Sequence, residues 1–262
     1  MRRPPQLMAL AAIVSLFALP AAAQSVDEIV SKNLEAKGGL ALLRQTNSVK
    51  MTGTFTAFQP PAAPGEAPAE VTMAMTTWAK RPSFVRREVE VPAPASQAAA
   101  RGPSRPTKVI SAADGSTVWM QQGTNPPVEL PAAQASQMLQ NSEFDSVFVA
   151  YHDKDITIDL VGVEKLNGKD AYHLAVKRKN GPVQQYFLDR ETGLETRVVT
   201  DVSQGGSTAQ ISTELSDYRN VDGRMVPFKM RQLVDGQPAA EMAIDRVEFN
   251  VDMPDSLFKL PR

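Results

Sequence analysis

The chain of 262 residues contains no cysteine, and this absence excludes disulfides, thiol nucleophiles and cysteine-ligated metal sites. Histidine is scarce as well, with only His152 and His173 available for imidazole chemistry. The formal net charge is −1, whereas nucleic-acid-binding proteins usually carry a basic excess, so no nucleic acid is predicted as a partner. The sequence also lacks the G-x-S-x-G, Walker, G-x-G-x-x-G and H-E-x-x-H motifs of common enzyme classes.

Long apolar runs are absent too, apart from one at the start of the chain. Two arginines precede an apolar run over residues 7–19, and three alanines, 21–23, follow it. A basic start, a short apolar core and a small-residue site are typical of a secretory signal peptide, and the run is short for a membrane anchor. We therefore expect a signal peptide over residues 1–23, cleavage after Ala23, and export to the periplasm, or secretion where no outer membrane exists.

The remaining residues, 24–262, are predicted to form a single domain that opens with a helix. Ser25 stands three residues before Glu28, which is the spacing of a capping box. Apolar residues then recur at helical spacing: Val26, Ile29, Val30 and Leu34. The pair Gly38-Gly39 ends this helix, and residues 40–44 can form one more short helical turn. Residues 130–153 carry a second apolar stripe, which predicts one or two helices packed against a sheet.

From residue 47 onwards the period changes from helix to strand. Val49, Met51, Gly53 and Phe55 alternate with polar residues, which indicates a sheet with one buried face. In the second half of the chain, tight-turn dipeptides separate strand-like segments: Asn167-Gly168, Asn180-Gly181, Thr192-Gly193, Gly205-Gly206, Asp222-Gly223 and Asp235-Gly236. This spacing predicts a mainly β (α+β) fold, an antiparallel up-and-down meander of about 11–12 strands.

Two proline- and alanine-rich segments, residues 60–70 and 92–106, interrupt the strands. Their composition favours neither a strand ladder nor a core, so we expect them to be long, mobile hairpin loops. They are candidates for lids over a site, although most loops of this composition are simply solvated.

The most acidic turn lies in QQYFLDRETGLETRV, residues 184–198, which contains Asp189, Glu191 and Glu195. Two carboxylates facing one cleft are the catalytic arrangement of glycosidases. Here they form the tip of a predicted hairpin that Gly193 closes, where they would face water. A carboxylate in water has no desolvation to raise its pKa and makes a poor general acid. We therefore predict no catalytic residue, and a protein that is not an enzyme.

The other polar clusters are also interpreted as structural. Asp153, Asp155 and Asp159 lack the glycine and the distal glutamate of an EF-hand loop, so no metal site is predicted. The densest basic stretch, KRPSFVRR at residues 80–87, is interpreted as a solvated strand face. His173 falls within a strand and is interpreted as an exposed or hydrogen-bonded residue.

What remains is an apolar face that is rich in methionine. The methionines in predicted strands are Met51, Met73, Met75, Met120, Met225, Met230 and Met242. Methionine fills irregular gaps in cores and also lines adaptable apolar sites. Aromatic residues make up only 6% of the chain, so few large side chains are available to fill a curved sheet. Such a sheet either is filled by its own side chains or encloses a pocket for acyl chains.

Several passages resemble the LolA-like superfamily of periplasmic lipoprotein carriers, especially outer-membrane lipoprotein-sorting proteins. IVSKNLEAKGGLALLRQTNSVKMTGTF, residues 29–55, is similar to that family's opening helix, Gly-Gly pair and first strand. WAKRPSFVRREV, residues 78–89, resembles a strand pair in which a basic-basic-proline turn precedes an arginine. YFLDRETGLETRV (186–198) and DYRNVDGRMVPFKM (217–230) resemble late hairpins. The order of these passages over residues 25–262 carries the resemblance.

The resemblance implies a deeply curved antiparallel half-barrel with helices in or across its concave face. It also implies a cavity for acyl chains that opens when the helices move, no cofactor, no catalysis, and membrane-bound donor and acceptor proteins as partners. The chain departs from the family in its long loops. It also departs at Arg87, which stands where an aromatic residue often follows the arginine matched by Arg86.

We therefore predict a periplasmic carrier that binds lipid or lipoprotein acyl chains and takes part in their sorting to the outer membrane. The alternative is a periplasmic protein-interaction or envelope-stress sensor domain on the same fold, which the long loops and the basic stretch favour. The candidate residues for the cavity are Met51, Phe55, Met73, Met75, Val89, Trp119, Leu139, Phe144, Phe148, Tyr186, Leu188 and Met230. The sequence leaves open whether the cavity is empty or filled by Leu139, Phe144 and Phe148.

Overall fold

The computed structural model describes residues 24–59, 69–92, 106–179, 181–204 and 206–261. The predicted signal peptide and most of both proline- and alanine-rich segments lie outside these residues. In the described part of the chain, no helix has both the length and the apolar character needed to cross a bilayer.

The described chain opens with the predicted helix, α1, over Val26–Ala36. Ser25 Oγ accepts a hydrogen bond from Glu28 N at 3.2 Å, and Ser25 N donates to Glu28 Oε2 at 2.9 Å. The predicted capping box is thus present, and it satisfies backbone groups that a helix start leaves unpaired. Gly38 and Gly39 both adopt positive φ after the helix, and α2 follows over Leu40–Gln45.

One antiparallel sheet contains the strands of the described chain, and there are 13 of them, slightly more than predicted. Their bounds are β1 Ser48–Gln59, β2 Ala69–Lys80, β3 Phe84–Val91, β4 Thr107–Asp114, β5 Val118–Gln122, β6 Val128–Glu129, β7 Ile156–Leu166, β8 Lys169–Arg178, β9 Gln184–Asp189, β10 Glu195–Gln204, β11 Ser207–Val221, β12 Arg224–Val234 and β13 Gln237–Phe249. The spatial order is β6-β5-β4-β3-β2-β1-β13-β12-β11-β10-β9-β8-β7, so the first and last strands pair at the centre. The mainly β, curved and open antiparallel fold is confirmed.

Tight turns join the late strands as the Asn-Gly and Asp-Gly pairs predict. Both residues have positive φ at Asn167-Gly168, Asp222-Gly223 and Asp235-Gly236. This is the geometry of a type I′ turn, whose twist matches that of the strands it connects. These local signals fix which strands become neighbours in the second half of the sheet.

The region between β6 and β7 contains one α-helix, α3, over Ala132–Asn141, and a 3₁₀ turn over Tyr151–Lys154. Irregular backbone separates them, so the stripe predicted over residues 130–153 is helical only at its two ends. A second 3₁₀ turn, Asp255–Leu257, follows the last strand.

The helices cover one face of the sheet, which we call the inner face. Helix α1 packs with β7, β8 and β9 in a buried cluster that includes Ile29, Val30, Phe148, Leu174, Val176 and Leu188. Helix α3 places Ala135 against Ala113 and Val118 of β4 and β5. Between these clusters, the central strands form a third one around Met75, Phe228, Ile244 and Val247.

The outer face carries a smaller cluster at the other side of β4 and β5. Trp119 is fully buried there, and its indole Nε1 donates a hydrogen bond to Phe258 O at 2.7 Å. Phe258 also stacks on Phe84 with ring centroids 5.4 Å apart. The end of the chain therefore packs against the outer face and leaves the inner face to the helices.

Candidate functional site

A stretch of irregular backbone, residues 142–149, lies over the inner face after α3, and we call it the covering segment. Two cavities lie beside it and share Glu143, Phe144, Asp145 and Ser146 among their lining residues. The covering segment therefore separates two parts of one hollow. Both parts fall within the volume range of small-molecule sites, roughly 300–1,000 Å³.

The first part, which we call the apolar cavity, has a volume of about 340 Å³. Side chains of the central strands and the covering segment line it: Val49, Met51, Ala79, Val85, Val149, Val226 and Phe249. The strand residues among them occupy alternate positions and so point to the same face. Lys37, Glu143, Asp145 and Arg224 also line the cavity, so its wall is mostly but not wholly apolar. The apolar part of the wall suits the hydrocarbon portion of a ligand.

The second part, which we call the polar cavity, has a volume of about 540 Å³. It mixes apolar with charged residues: Lys37, Arg178, Tyr186, Glu195, Val198, Leu215, Tyr218 and Met230. Its charges are paired with one another or with the covering segment, since Arg178 lies 2.9 Å from Glu143 and Lys37 lies 2.9 Å from Glu195.

Arg81 holds the covering segment in place. Its guanidinium forms an ion pair with Asp145 and stacks over the Phe144 ring at 5.1 Å from the ring centroid. The same group donates to Thr46 O at 2.7 Å and to Leu43 O at 3.0 Å. One arginine thus ties the covering segment to the end of α2, and the hollow cannot widen on that side while these bonds hold.

Glu195 forms a buried ion pair with Lys37 at the edge of the polar cavity. Burial would raise the pKa of the Glu195 carboxyl, but the positive charge of Lys37 outweighs it and holds the pKa below its ordinary value. Burial, followed by the charge of Glu195, raises the pKa of Tyr186 to about 12 and also raises that of Tyr218. Both phenols are therefore neutral hydrogen-bonding groups at ordinary pH.

The structure corrects the predicted exposure of the acidic turn. Asp189 and Glu195 are only 6% and 5% exposed, so the prediction that they face water is wrong, whereas Glu191 is exposed as predicted. The reason is that α1 lies over this turn: Lys32 Nζ donates to Arg190 O at 2.7 Å. A hairpin tip elsewhere on the sheet would meet water, but this one meets a helix.

Asp189 has a structural role within the turn. Its Oδ1 accepts hydrogen bonds from the backbone N of Glu191 at 2.9 Å and of Thr192 at 2.8 Å. Burial would raise the pKa of Asp189, but these backbone donors hold it below its ordinary value. An ionised carboxylate with this pKa direction lacks the proton that a general acid must supply.

The basic stretch is also corrected, because it is not a solvated face. Lys80 pairs with Asp255 at 2.7 Å, and Arg86 donates from Nε and Nη2 to Glu88 at 2.9 and 2.7 Å. Together with Arg81, these side chains are at least partly buried and bind acids or backbone carbonyls. The stretch fastens the covering segment and the chain end to opposite faces of the sheet.

His173 is held by two hydrogen bonds within the sheet. His173 lies with Nδ1 2.6 Å from Glu164 Oε1 and Nε2 2.8 Å from Gln185 Oε1, so its interpretation as a hydrogen-bonded strand residue is confirmed. In the described ranges, no group of three His, Asp or Glu side chains is arranged to hold a metal ion.

The twelve candidate cavity residues fall into different places. Met51 lines the apolar cavity, Tyr186 and Met230 line the polar cavity, and Phe144 lines both. Phe55, Met75 and Val89 pack in the central inner cluster, and Met73 is buried beside Phe55 on the paired strand. Leu139 packs with the α3 cluster, and Phe148 and Leu188 are fully buried beneath α1. Trp119 lies on the outer face and lines neither cavity.

Sequence reasoning missed several lining residues. Val49 and Val85 share the alternating apolar pattern with Met51 and Val89, so the pattern could have found them. No sequence pattern marks Lys37 and Glu195 as lining residues, because their pairing depends on the docking of the end of α1 against β10. Phe144, Phe148 and Leu139 do not fill the hollow, because both cavities remain beside the covering segment.

An open antiparallel sheet that carries helices and a partly apolar hollow on its inner face defines a class of curved half-barrel proteins. Neither a protein-family model nor a curated protein matches the sequence. Solved structures do match its fold. An outer membrane lipoprotein-sorting protein domain from Vibrio parahaemolyticus aligns with a TM-score of 0.57 at 11% identity, over 88% of this chain and 95% of the other.

Two more solved structures agree with this match. A LolA superfamily protein from Nitrosomonas europaea has a TM-score of 0.56 at 15% identity, with 90% of this chain and 98% of the other covered. A DUF1329 family protein from Desulfovibrio piger has a TM-score of 0.57 at 13% identity, with 88% and 97% covered. The chain therefore has a LolA-like fold. Identities this low show the fold alone.

Proposed function

We propose that this protein is a periplasmic carrier that holds acyl chains of lipids or lipoproteins in the hollow under its covering segment. The observation that carries the proposal is the apolar cavity of about 340 Å³ beneath residues 142–149. The LolA-like fold supports it, because fold neighbours are described as lipoprotein-sorting and LolA superfamily proteins. We also propose that the protein works without catalysis, together with membrane-bound donor and acceptor proteins.

The lining favours a chain-like apolar ligand over a polar one. Met51, Val49 and Phe249 offer flexible or flat apolar surfaces, and methionine adapts to ligands of varied shape. Removing apolar surface from water contributes about 0.8 kcal/mol for each buried methylene group, so a long acyl chain gains enough to offset its ordering.

The experiment measures uptake of a fluorescent fatty acid by the purified protein, together with mass spectrometry of the gently purified protein for co-purifying lipid. Met51→Trp should fill the apolar cavity and lower uptake several-fold. Val163→Trp introduces the same side chain at a position that is 48% exposed on β7, and it should leave uptake unchanged. Absence of lipid and of uptake in the wild-type protein would contradict the carrier proposal.

The protein-interaction alternative stays a prediction. A crosslinking experiment in cells separates the two functions, because a sensor domain should capture one regulatory partner whether or not lipid is bound. A carrier should instead capture membrane proteins that handle lipid.

A further inference from the structure

Arg87 is a charged residue on a mostly apolar part of the inner face. It lies in β3 between Val85 and Val89, and residues two apart in a strand point to the same face. Val85 lines the apolar cavity, and Val89 packs in the central inner cluster. Arg81 makes the ion pair and hydrogen bonds that hold the covering segment, and Arg87 takes no part in them.

The strand register places Arg87 in a short polar row. It pairs directly with Thr77 on β2 and with Ser111 on β4. Directly opposite residues have Cβ atoms about 4.5–5.5 Å apart, so the two hydroxyl groups flank the arginine side chain. On β2, β3 and β4 the rows on either side are apolar: Met75, Val89 and Val109 in one, and Ala79, Val85 and Ala113 in the other.

Arg87 has no acidic partner among the described residues, unlike its neighbours. Arg86 pairs with Glu88, and Arg81 pairs with Asp145. The Nε of Arg87 is fully buried and makes no hydrogen bond with the described chain. Burial also lowers the pKa of this guanidinium, because the charged form is poorly solvated there. The residue as a whole is only half-buried, but a buried Nε donor without an acceptor is still costly, so such groups normally have a partner.

We propose that Arg87, flanked by Thr77 and Ser111, binds the anionic head group of a ligand whose acyl chain occupies the apolar cavity. The inference rests on the proposed carrier function and narrows its cargo to amphiphiles with a carboxylate or phosphate head. A guanidinium matches either group with two parallel hydrogen bonds. Val85 is two strand positions away, roughly 7 Å, so one ligand reaches both the cavity wall and Arg87.

The test compares ligands that differ only in the head group. Palmitate, hexadecyl phosphate and uncharged hexadecanol compete with the fluorescent fatty acid on wild-type protein, on Arg87→Met and on Arg87→Gln. Wild-type protein should bind at least one anionic ligand about tenfold more tightly than hexadecanol, which corresponds to about 1.4 kcal/mol. Both variants should lose this preference and bind hexadecanol as wild-type does. If palmitate shows the larger gain in affinity over hexadecanol, the natural head group is a carboxylate, and if hexadecyl phosphate does, it is a phosphate.

A control variant and a second measurement complete the test. Arg246→Met removes an arginine whose side chain is 70% exposed on the outer face, and it should keep the preference for anions. Without ligand, Arg87→Met should unfold at a higher temperature than wild-type protein, because it removes an unpaired charge.

Equal binding of charged and uncharged ligands by wild-type protein would overturn the role of Arg87 and leave the carrier function standing. Failure to bind any of the three ligands would overturn both proposals. A lower unfolding temperature for Arg87→Met would reveal a structural partner for this arginine and would also overturn the inference.

Discussion

Replacing Lys37 by methionine tests the buried ion pair at the edge of the polar cavity. The substitution keeps the aliphatic length of the side chain but removes the charge 2.9 Å from Glu195 Oε1. The other carboxylate oxygen, Oε2, is buried and has no hydrogen-bond partner in the described chain, and the groups that remain near the carboxylate, Asn33 and the Glu195 backbone N–H, carry no charge. The variant therefore leaves a carboxylate that is 5% exposed without a counter-charge.

The expected cost follows from this burial. Removing one partner of a buried ion pair lowers the free energy of unfolding by about 3–5 kcal/mol. The Lys37 side chain is itself 21% exposed, so water reaches part of the site and the lower end, about 3 kcal/mol, is expected. In a domain of this size that corresponds to a fall of roughly 6–12 °C in the midpoint of thermal unfolding.

The dependence on pH has a definite sign. In wild-type protein the pKa of Glu195 is lowered, so the pair stabilises the fold above the unfolded glutamate pKa of about 4.3, and this contribution is lost as the pH falls through the folded pKa. In Lys37→Met the charge and the hydrogen bond of the lysine are gone, and burial raises the pKa of Glu195 against only the smaller opposing effects of its backbone N–H and of Asn33, so protonation of Glu195 stabilises the variant as the pH falls. The difference in unfolding free energy should therefore shrink between about pH 7 and pH 4.

Urea denaturation of both proteins at several pH values measures this difference. Lys165→Met is the matched control, since Lys165 pairs with Asp170 at the same distance of 2.9 Å but its side chain is 74% exposed. Exposed pairs contribute little, so that variant should resemble wild-type protein. A Lys37→Met penalty that is equally large at both ends of the pH range would refute the buried-charge explanation.

Two further predictions concern the covering segment and the centre of the sheet. Arg81→Leu should speed amide hydrogen exchange in residues 142–149 and speed fatty-acid uptake, because it removes the donor that ties the segment to α2; unchanged exchange would contradict this role. Gly53→Ala should destabilise the fold by at least about 2 kcal/mol in urea denaturation, because a Cβ atom at residue 53 would lie 2.1 Å from Ala243 O. Gly162→Ala, where no atom lies within 4 Å of the added Cβ, is its control and should be nearly neutral.

The strands and turns of this fold could be predicted because their signals are local. Val49, Met51 and Phe55 alternate with polar residues within one strand, and this alternation predicts that their side chains share a face. Asp222-Gly223 closes β11 to β12 without help from the rest of the chain, since both residues take the positive φ that the turn needs. Short-range sterics therefore determine the strands and the hairpins between consecutive strands, whereas the pairing of β1 with β13 is a long-range contact.

The acidic turn could not be predicted because its surroundings are distant in sequence. Asn33 Nδ2 donates to Gly193 O at 2.8 Å across 160 positions of the chain, and this contact places α1 over the turn. The same docking brings Lys37 to Glu195. Most hairpin tips are solvated, so the local sequence predicts an exposed turn. It contains no sign of α1, which packs on this turn from a distant part of the chain.

Arg86 and Arg87 show how much of the site each kind of information determines. Neighbouring residues in a strand point to opposite faces, so the sequence alone separates the two arginines. Arg86 meets Glu88 two positions along the same strand and lies over the Trp119 ring at 5.5 Å, so its charge is satisfied on the outer face. Arg87 meets Thr77 and Ser111, which carry no charge, and only the register of β2 and β4 reveals this. The charges beside the polar cavity are paired within the fold, whereas Arg87, two residues from Val85 of the apolar cavity, has no acidic partner in the described chain, so a head group of opposite charge is the partner that we propose for it.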